Sequence, residues 1–218
     1  MALKRHLLRD QIREALLHRI GSGELEPGHR IVEARICEEM GVSAIPVREA
    51  IRELVAMGLL EFANHKGAWV REVSITETID ALQVRAALES LAAVLAAAAL
   101  RGHCEELLRC YEGILQAARR RDFIAFQDHN QHFHRAIMEA SGNGVLLRVW
   151  NSLGFEVRTR PIMEFLARRD TLAIAREHEA ILVALKAGRG KKAAALLASH
   201  SNHLVEYLRQ QLKSNPQP

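Results

Sequence analysis

Aromatic residues are scarce in this 218-residue chain: Phe, Trp and Tyr together make up 5%. β-Sandwiches and barrels draw on aromatic and β-branched strands, so the shortage favours a helical interior built from Ala and Leu. Cysteine is nearly absent. Cys37, Cys104 and Cys110 are odd in number and show no CxxC spacing, which excludes a disulfide framework. They read as small buried hydrophobes of a reducing compartment. Long apolar runs are missing too. The longest, Leu91 to Leu100, is too short to span a bilayer. The N-terminal stretch MALKRHLLRDQIREALL is amphipathic and charged, without the apolar core of a signal peptide. The expectation is a soluble, cytoplasmic protein with no membrane partner. Finally, the N-terminal third lacks excess charge. Residues 1–72 carry 11 Lys and Arg against 11 Asp and Glu, so the net +4 lies beyond them. Binding of nucleic acid there must come from a local patch rather than from bulk charge.

What is present is 49% hydrophobic content, enough for one large domain or two modest ones. Apolar positions Leu7, Leu8, Ile12, Leu16 and Ile20 have helical spacing. The Gly- and Pro-rich GSGELEPGHR follows as a turn. A short helix over 32–40 stops at Gly41. A second runs to about Met57, with Ser43 as N-cap and Pro46 in its first turn. Segments 59–62 and 68–73 read as a β-hairpin. A capping-box pattern at Ser74–Glu77 opens a wholly helical remainder: 76–100, 103–120, 122–140, 144–168 with a break near Pro161, 171–187 and 190–211. The expected division is a unit over 1–74, a helical domain over 75–213 and a frayed tail over 214–218.

A short helix, a tight turn and a second helix form a helix-turn-helix, and the hairpin makes it winged. Arg48 and Arg52 lie one turn apart on the second helix and face the same way. The hairpin tip offers His65, Lys66 and Gly67 to a groove or a phosphate. On spacing alone, the two arginines serve equally well as ion-pair partners of Glu49, Glu53 or Glu38. The stretch SGELEPGHRIVEARICEEMGVSAIPVREAIRELVAMGLLEFANHKGAWV resembles the GntR-type winged helix over about 50 residues, including the string PVREAI. That resemblance implies double-stranded operator DNA as the partner, with Ser43, Arg48, Arg52, His65, Lys66 and Gly67 at the interface. Two positions depart from the pattern, where Ala44 and Ala34 replace residues that are usually or sometimes basic. They imply an atypical operator, or weaker base readout with more reliance on Arg48, Arg52 and the wing, because Arg–guanine contacts supply much of base discrimination.

Of 11 histidines, seven follow residue 100. On the helix around 122–140, Phe123, Phe126, Phe133 and Ile137 share one side, with Asn130 among them and His134 beside them. Asp128 and His132 fall opposite, toward solvent. His178 centres the stripe Ile174, Ile181, Leu182 and Leu185. His200 lies among Leu196, Leu197 and Leu204, with His203 at the edge. A shared metal ion, a polar ligand pocket or water network, and unrelated core histidines all remain open on geometry. The strings VRAALESLAA, NQHFHRAIMEASGN and REHEAILVALKAGRGKKAA, together with His200, are similar to the FCD (FadR C-terminal) ligand-binding domain, an all-helical bundle. The resemblance implies a divalent metal (Zn, Ni or Mn) on Asn130, His134, His178 and His200, with Asn130 replacing an Asp and weakening the site. It also implies a small carboxylate effector, with Arg85, Glu89 and His203 around it. Arg85 reads equally as a carboxylate clamp or as the i, i+4 partner of Glu89.

The fold class expected is therefore mainly α, a winged helix-turn-helix followed by an FCD-type bundle. The function is that of a homodimeric, ligand-responsive transcription regulator, a repressor and not an enzyme. Two rivals stand beside it. One is a metal-dependent hydrolase fused to a DNA-binding domain, disfavoured because no inward acid is expected beside the histidines, Glu177 and Glu179 pointing to other faces. The other is a DNA-binding protein with a degenerate sensor.

Overall fold

The computed structural model describes residues 2–63, 66–155 and 159–214. It divides into two compact units. One holds the chain up to Ser74 together with Gly154 and Phe155; the other holds Ile75–Leu153 and the chain from Thr159 onward.

The first unit runs α1 (Ala2–Gly21), β1 (Arg30–Ile31), α2 (Glu33–Met40), α3 (Ala44–Ala56), β2 (Leu60–Ala63) and β3 (Gly67–Val70). Ile12, Leu16 and Ile20 of α1, Ile36 of α2, and Val47, Ile51 and Leu54 of α3 close one core with Leu60, Ala68 and Val70 of the sheet. The turn after α2 depends on Gly41, whose left-handed φ of 64° lets its N–H cap the helix. Pro46 suits the first turn of α3, where no intrahelical N–H donor is needed. Ser43 precedes α3 as expected, but its hydroxyl makes no capping bond. The hairpin β2–β3 forms in register, with Phe62 opposite Ala68. The sequence showed no sign of β1. It pairs antiparallel with β3, so the sheet order is β1-β3-β2.

In the second unit the described residues form α4 (Ile75–Ala96), α5 (Glu105–Arg120), α6 (Phe123–Ala140), α7 (Gly144–Ser152), α8 (Thr159–Ala167), α9 (Thr171–Lys186) and α10 (Gly190–Ser214). Asp122, Asn143 and Asp170 cap α6, α7 and α9 by accepting backbone N–H groups. Helix α10 lies antiparallel along α4, with Ser90 Oγ donating to the carbonyl of Ala194. Gly190 permits that approach, since a Cβ there would sit 2.8 Å from the Cβ of Ala97. Helices α5 and α6 pack together, and α9 lies against both α5 and α10.

Two expectations need correction. The break foreseen within 144–168 occurs, but ahead of Pro161, which stands in the first turn of α8, where proline is favoured. The interruption follows Ser152, and Gly154 has a positive φ of 56°. At the C-terminus, Ser214 still belongs to α10, and the rest of the expected tail lies outside the described residues.

Candidate functional site

Helix α3 presents an exposed row to solvent: Ser43 just before it, then Ile45, Arg48, Glu49 and Arg52. The ion pairing differs from every option weighed on spacing. Arg48 Nε donates to Glu33 Oε2 on α2 at 2.6 Å. Glu53 is held by Arg9 and Arg13 of α1. Arg52 enters no ion pair among the described residues and stays exposed. Lys66 is exposed beside Gly67, which needs its positive φ of 81° to turn into β3. His65 lies outside the described residues. Ala34 lies on α2 beside Glu33, the partner of Arg48, and Ala44 opens α3, so both positions carry short, uncharged side chains.

In the second unit, His134, His178 and His200 converge from α6, α9 and α10. One ring nitrogen from each lies within 4.8 Å of the other two. Their Nδ1 atoms are all committed outward. His134 Nδ1 donates to Glu89 Oε2 at 2.8 Å, and His200 Nδ1 donates to Glu177 Oε2 at 2.7 Å. His178 Nδ1 donates to the carbonyls of Ile174 and Ala175. Carboxylates and carbonyls only accept, so Nδ1 carries a hydrogen in each ring, and a ring that is neutral then keeps its lone pair on Nε2. Asn130, half-buried, brings Oδ1 to within 2.8 Å of His178 Nε2.

Burial drives His134 down to about 4, although Glu89 pulls it upward. Burial and the neighbouring His200 and His134 push His178 well below the ordinary histidine value. The buried imidazoles are therefore neutral at pH 7, and the Asn130–His178 contact sets one acceptor against another.

The structure places two acids directly against the histidines. Glu89 is fully buried on α4 and bonds His134 directly. Its Oε1 accepts from Arg85 Nε at 2.6 Å and from Trp150 Nε1 at 2.9 Å. Burial raises the carboxyl, but Arg85 and His134 overrule it and hold it well below the carboxylate range. Of the two readings for Arg85, the pair with Glu89 is formed, and the guanidinium lies 5.4 Å over the Trp150 ring. Glu177 does point away from its neighbour His178, but toward α10, where one oxygen takes His200 and the other takes His203 Nδ1 at 2.9 Å. His203 is half exposed and touches the cluster only through that carboxylate. Asp128 and His132 face solvent as expected. Trp150 and Glu177 were missed. Trp150 has no motif around it, and for Glu177 the one available signal was adjacency to an inward histidine.

Comparison with known proteins adds a second line. Residues 8–70 match the family described as bacterial regulatory proteins, gntR family, and residues 80–203 match the FCD domain. The chain is 36% identical over 98% of its length, and 92% of the relative's, to a protein of Paenarthrobacter nicotinovorans named "Probable D-xylose utilization operon transcriptional repressor". It is 31% identical to the HTH-type transcriptional regulator McbR of Escherichia coli K12, over 81% of each chain. The solved structure of E. coli McbR/YncC superimposes with a TM-score of 0.80 at 28% identity, covering 94% of this chain and 98% of that one.

Proposed function

Because the chain belongs to the gntR family of bacterial regulatory proteins and carries the FCD domain, we propose that it is a cytoplasmic repressor whose DNA binding answers to a small carboxylate. That it is a DNA-binding transcriptional regulator, and not an enzyme, follows from the family itself. No helix among the described residues is long and apolar enough to cross a membrane.

In this reading Arg48, Arg52 and the Lys66–Gly67 turn meet the operator, with Ser43 free to bond a phosphate at the start of α3. A divalent cation is held by Asn130 Oδ1 and the Nε2 atoms of His134, His178 and His200. The observation that carries this is the 2.8 Å approach of two acceptors, Asn130 Oδ1 and His178 Nε2, beside two more inward lone pairs. Turning the amide would relieve that one contact, whereas a cation gives all four groups a partner. The outward Nδ1 bonds are the supports a metal-bound histidine ordinarily has. Three imidazoles and one amide suit Zn or Ni better than a harder cation such as Mn. When bound, the metal supplies a positive centre for the effector's carboxylate. The chain's own part is to orient the rings, keep them neutral and wall the site. Arg85 is tied to Glu89 and steadies the carboxylate that holds His134.

A second copy of the chain completes the reader. Val84, Leu91, Val94 and Leu95 are exposed on α4 together with Ala87. This spacing draws an uncharged apolar seam along one face of the helix. Two copies joined there bring two winged helices to two half-sites.

The test is metal content of protein purified without chelator, followed by operator binding with and without small carboxylates, sugar acids included. Bound Zn or Ni, and an acid that weakens DNA binding only in the metal-loaded protein, support the reading. A metal-free protein whose DNA affinity no acid changes would refute it.

A further inference from the structure

The four proposed donors are all uncharged, an amide and three neutral imidazoles, so a divalent cation among them would keep its full charge in a largely buried place. Such a charge is costly unless negative charge stands close by. Glu89 is spoken for, because Arg85 Nε lies 2.6 Å from its Oε1. Glu177 differs. Among the described residues its ion-pair partners are His200 and His203 alone, and its side chain is 30% exposed. Helix α9 places it one residue, about 100° of rotation, from the inward His178. It therefore faces α10, where His200 and His203 stand three residues apart on one side of the helix. Each carboxylate oxygen takes one Nδ1–H, at 2.7 and 2.9 Å. The two contacts fix the plane of the carboxylate, and through it the ring of His200, with Nε2 turned inward.

We propose that Glu177 is the positioning residue and counter-charge of the cation site: it aims His200 and supplies the negative charge that a shell of neutral donors lacks. His203 pins Glu177 from the solvent side. This rests on the metal reading above. It goes beyond that reading by placing the site's charge balance outside the donor set, on a residue that touches no cation.

The experiment is Zn²⁺ titration of chelator-stripped, full-length protein against a chromophoric competitor, with the Co²⁺ visible spectrum as a report on donor geometry. Glu177→Gln is expected to weaken Zn²⁺ binding by about 10- to 100-fold, the range for lost outer partners of metal-bound histidines, and to alter the Co²⁺ spectrum. Adding Asn130→Asp to Glu177→Gln is expected to recover most of the affinity, because a carboxylate then enters the shell itself. A merely structural Glu177 would lower the melting temperature of the metal-free protein and leave both metal readouts unmoved. If Glu177→Gln does not fold, Glu177→Asp keeps the charge on a shorter arm, and affinity intermediate between wild type and the 100-fold loss is expected. Should wild type bind Zn²⁺ and the Glu177 variant bind it equally well, the inference is overturned while the metal reading stands. Should wild type bind no metal, the reading falls and the inference falls with it.

Discussion

Glu89 of α4 and His134 of α6 meet through a 2.8 Å hydrogen bond from Nδ1 to Oε2, with both side chains sealed from solvent. The same carboxylate holds Arg85 and Trp150, so it joins α4, α6 and α7 at one point. Glu89→Gln removes the charge from the one carboxylate that Arg85 and His134 both bond. Removing one partner of a buried ion pair costs about 3–5 kcal/mol, so a loss of that size is expected in urea unfolding of the metal-free protein. Tryptophan fluorescence should change as well, because Trp150 loses its charged acceptor. A variant as stable as wild type would show that this junction does not hold the bundle together.

Neutral buried histidines make stability depend on pH. His134 falls from the ordinary 6.5 to about 4, because burial disfavours its charged form. The unfolded chain therefore takes up the proton first. Stability is full above pH 6.5 and falls as the pH drops from 6.5 toward 4. At about 1.4 kcal/mol per pH unit, His134 alone contributes on the order of 3 kcal/mol over that window, and His178 adds to the loss in the same direction. Glu89 and Glu177, whose carboxyls are both lowered by their partners, add theirs only below about 4.5. Urea midpoints measured on chelated protein from pH 7.5 to 5 check this; a flat profile contradicts neutral burial. With Zn²⁺ present the decline should steepen, because protons and metal compete for the same Nε2 atoms.

Helical periodicity placed His134 and His178 correctly because a buried stripe constrains every third or fourth residue. Arg85 and Glu89 were legible as a pair for the same reason, being four residues apart on one helix. Glu177 and Trp150 were not, because their roles depend on which helix each one meets. Helix α9 turns Glu177 toward α10, and α7 carries Trp150 to α4. No single-helix pattern contains that information. The strand Arg30–Ile31 escaped notice because two residues cannot show alternation, and Pro161 misled because proline breaks a helix interior but favours a helix start.

In the reader, Arg48 already has a partner in Glu33, whereas Arg52 has none among the described residues. Arg48→Ala is expected to cost about 1–3 kcal/mol of operator affinity and to relax base preference at one position of each half-site. Arg52→Ala is expected to weaken binding more evenly across sequences and to reduce its salt dependence. Selection from random DNA with Ala44→Arg tests the neighbouring gap: a long basic side chain at the start of α3 should shift the selected sequence. An unchanged selection would mean that residue 44 does not face the bases.

The apolar seam on α4 gives the last prediction. Leu91 is 49% exposed and lies in the middle of it, with Val94 and Leu95 at 44% each and no charge along the row. A face of this kind is unfavourable in water and stabilises a complex when a like face covers it. Leu91→Asp places a charge at the centre of any such contact, where burial would leave it unpaired. The variant should sediment as a monomer at concentrations where wild type is a dimer. Its secondary structure need change little, because Leu91 is half exposed and stands outside the buried core of its own chain. Operator affinity should fall by far more than any direct effect of residue 91 on DNA, since one winged helix would then bind each half-site without its neighbour. If Leu91→Asp remains dimeric, the copies meet elsewhere, and the seam needs another explanation.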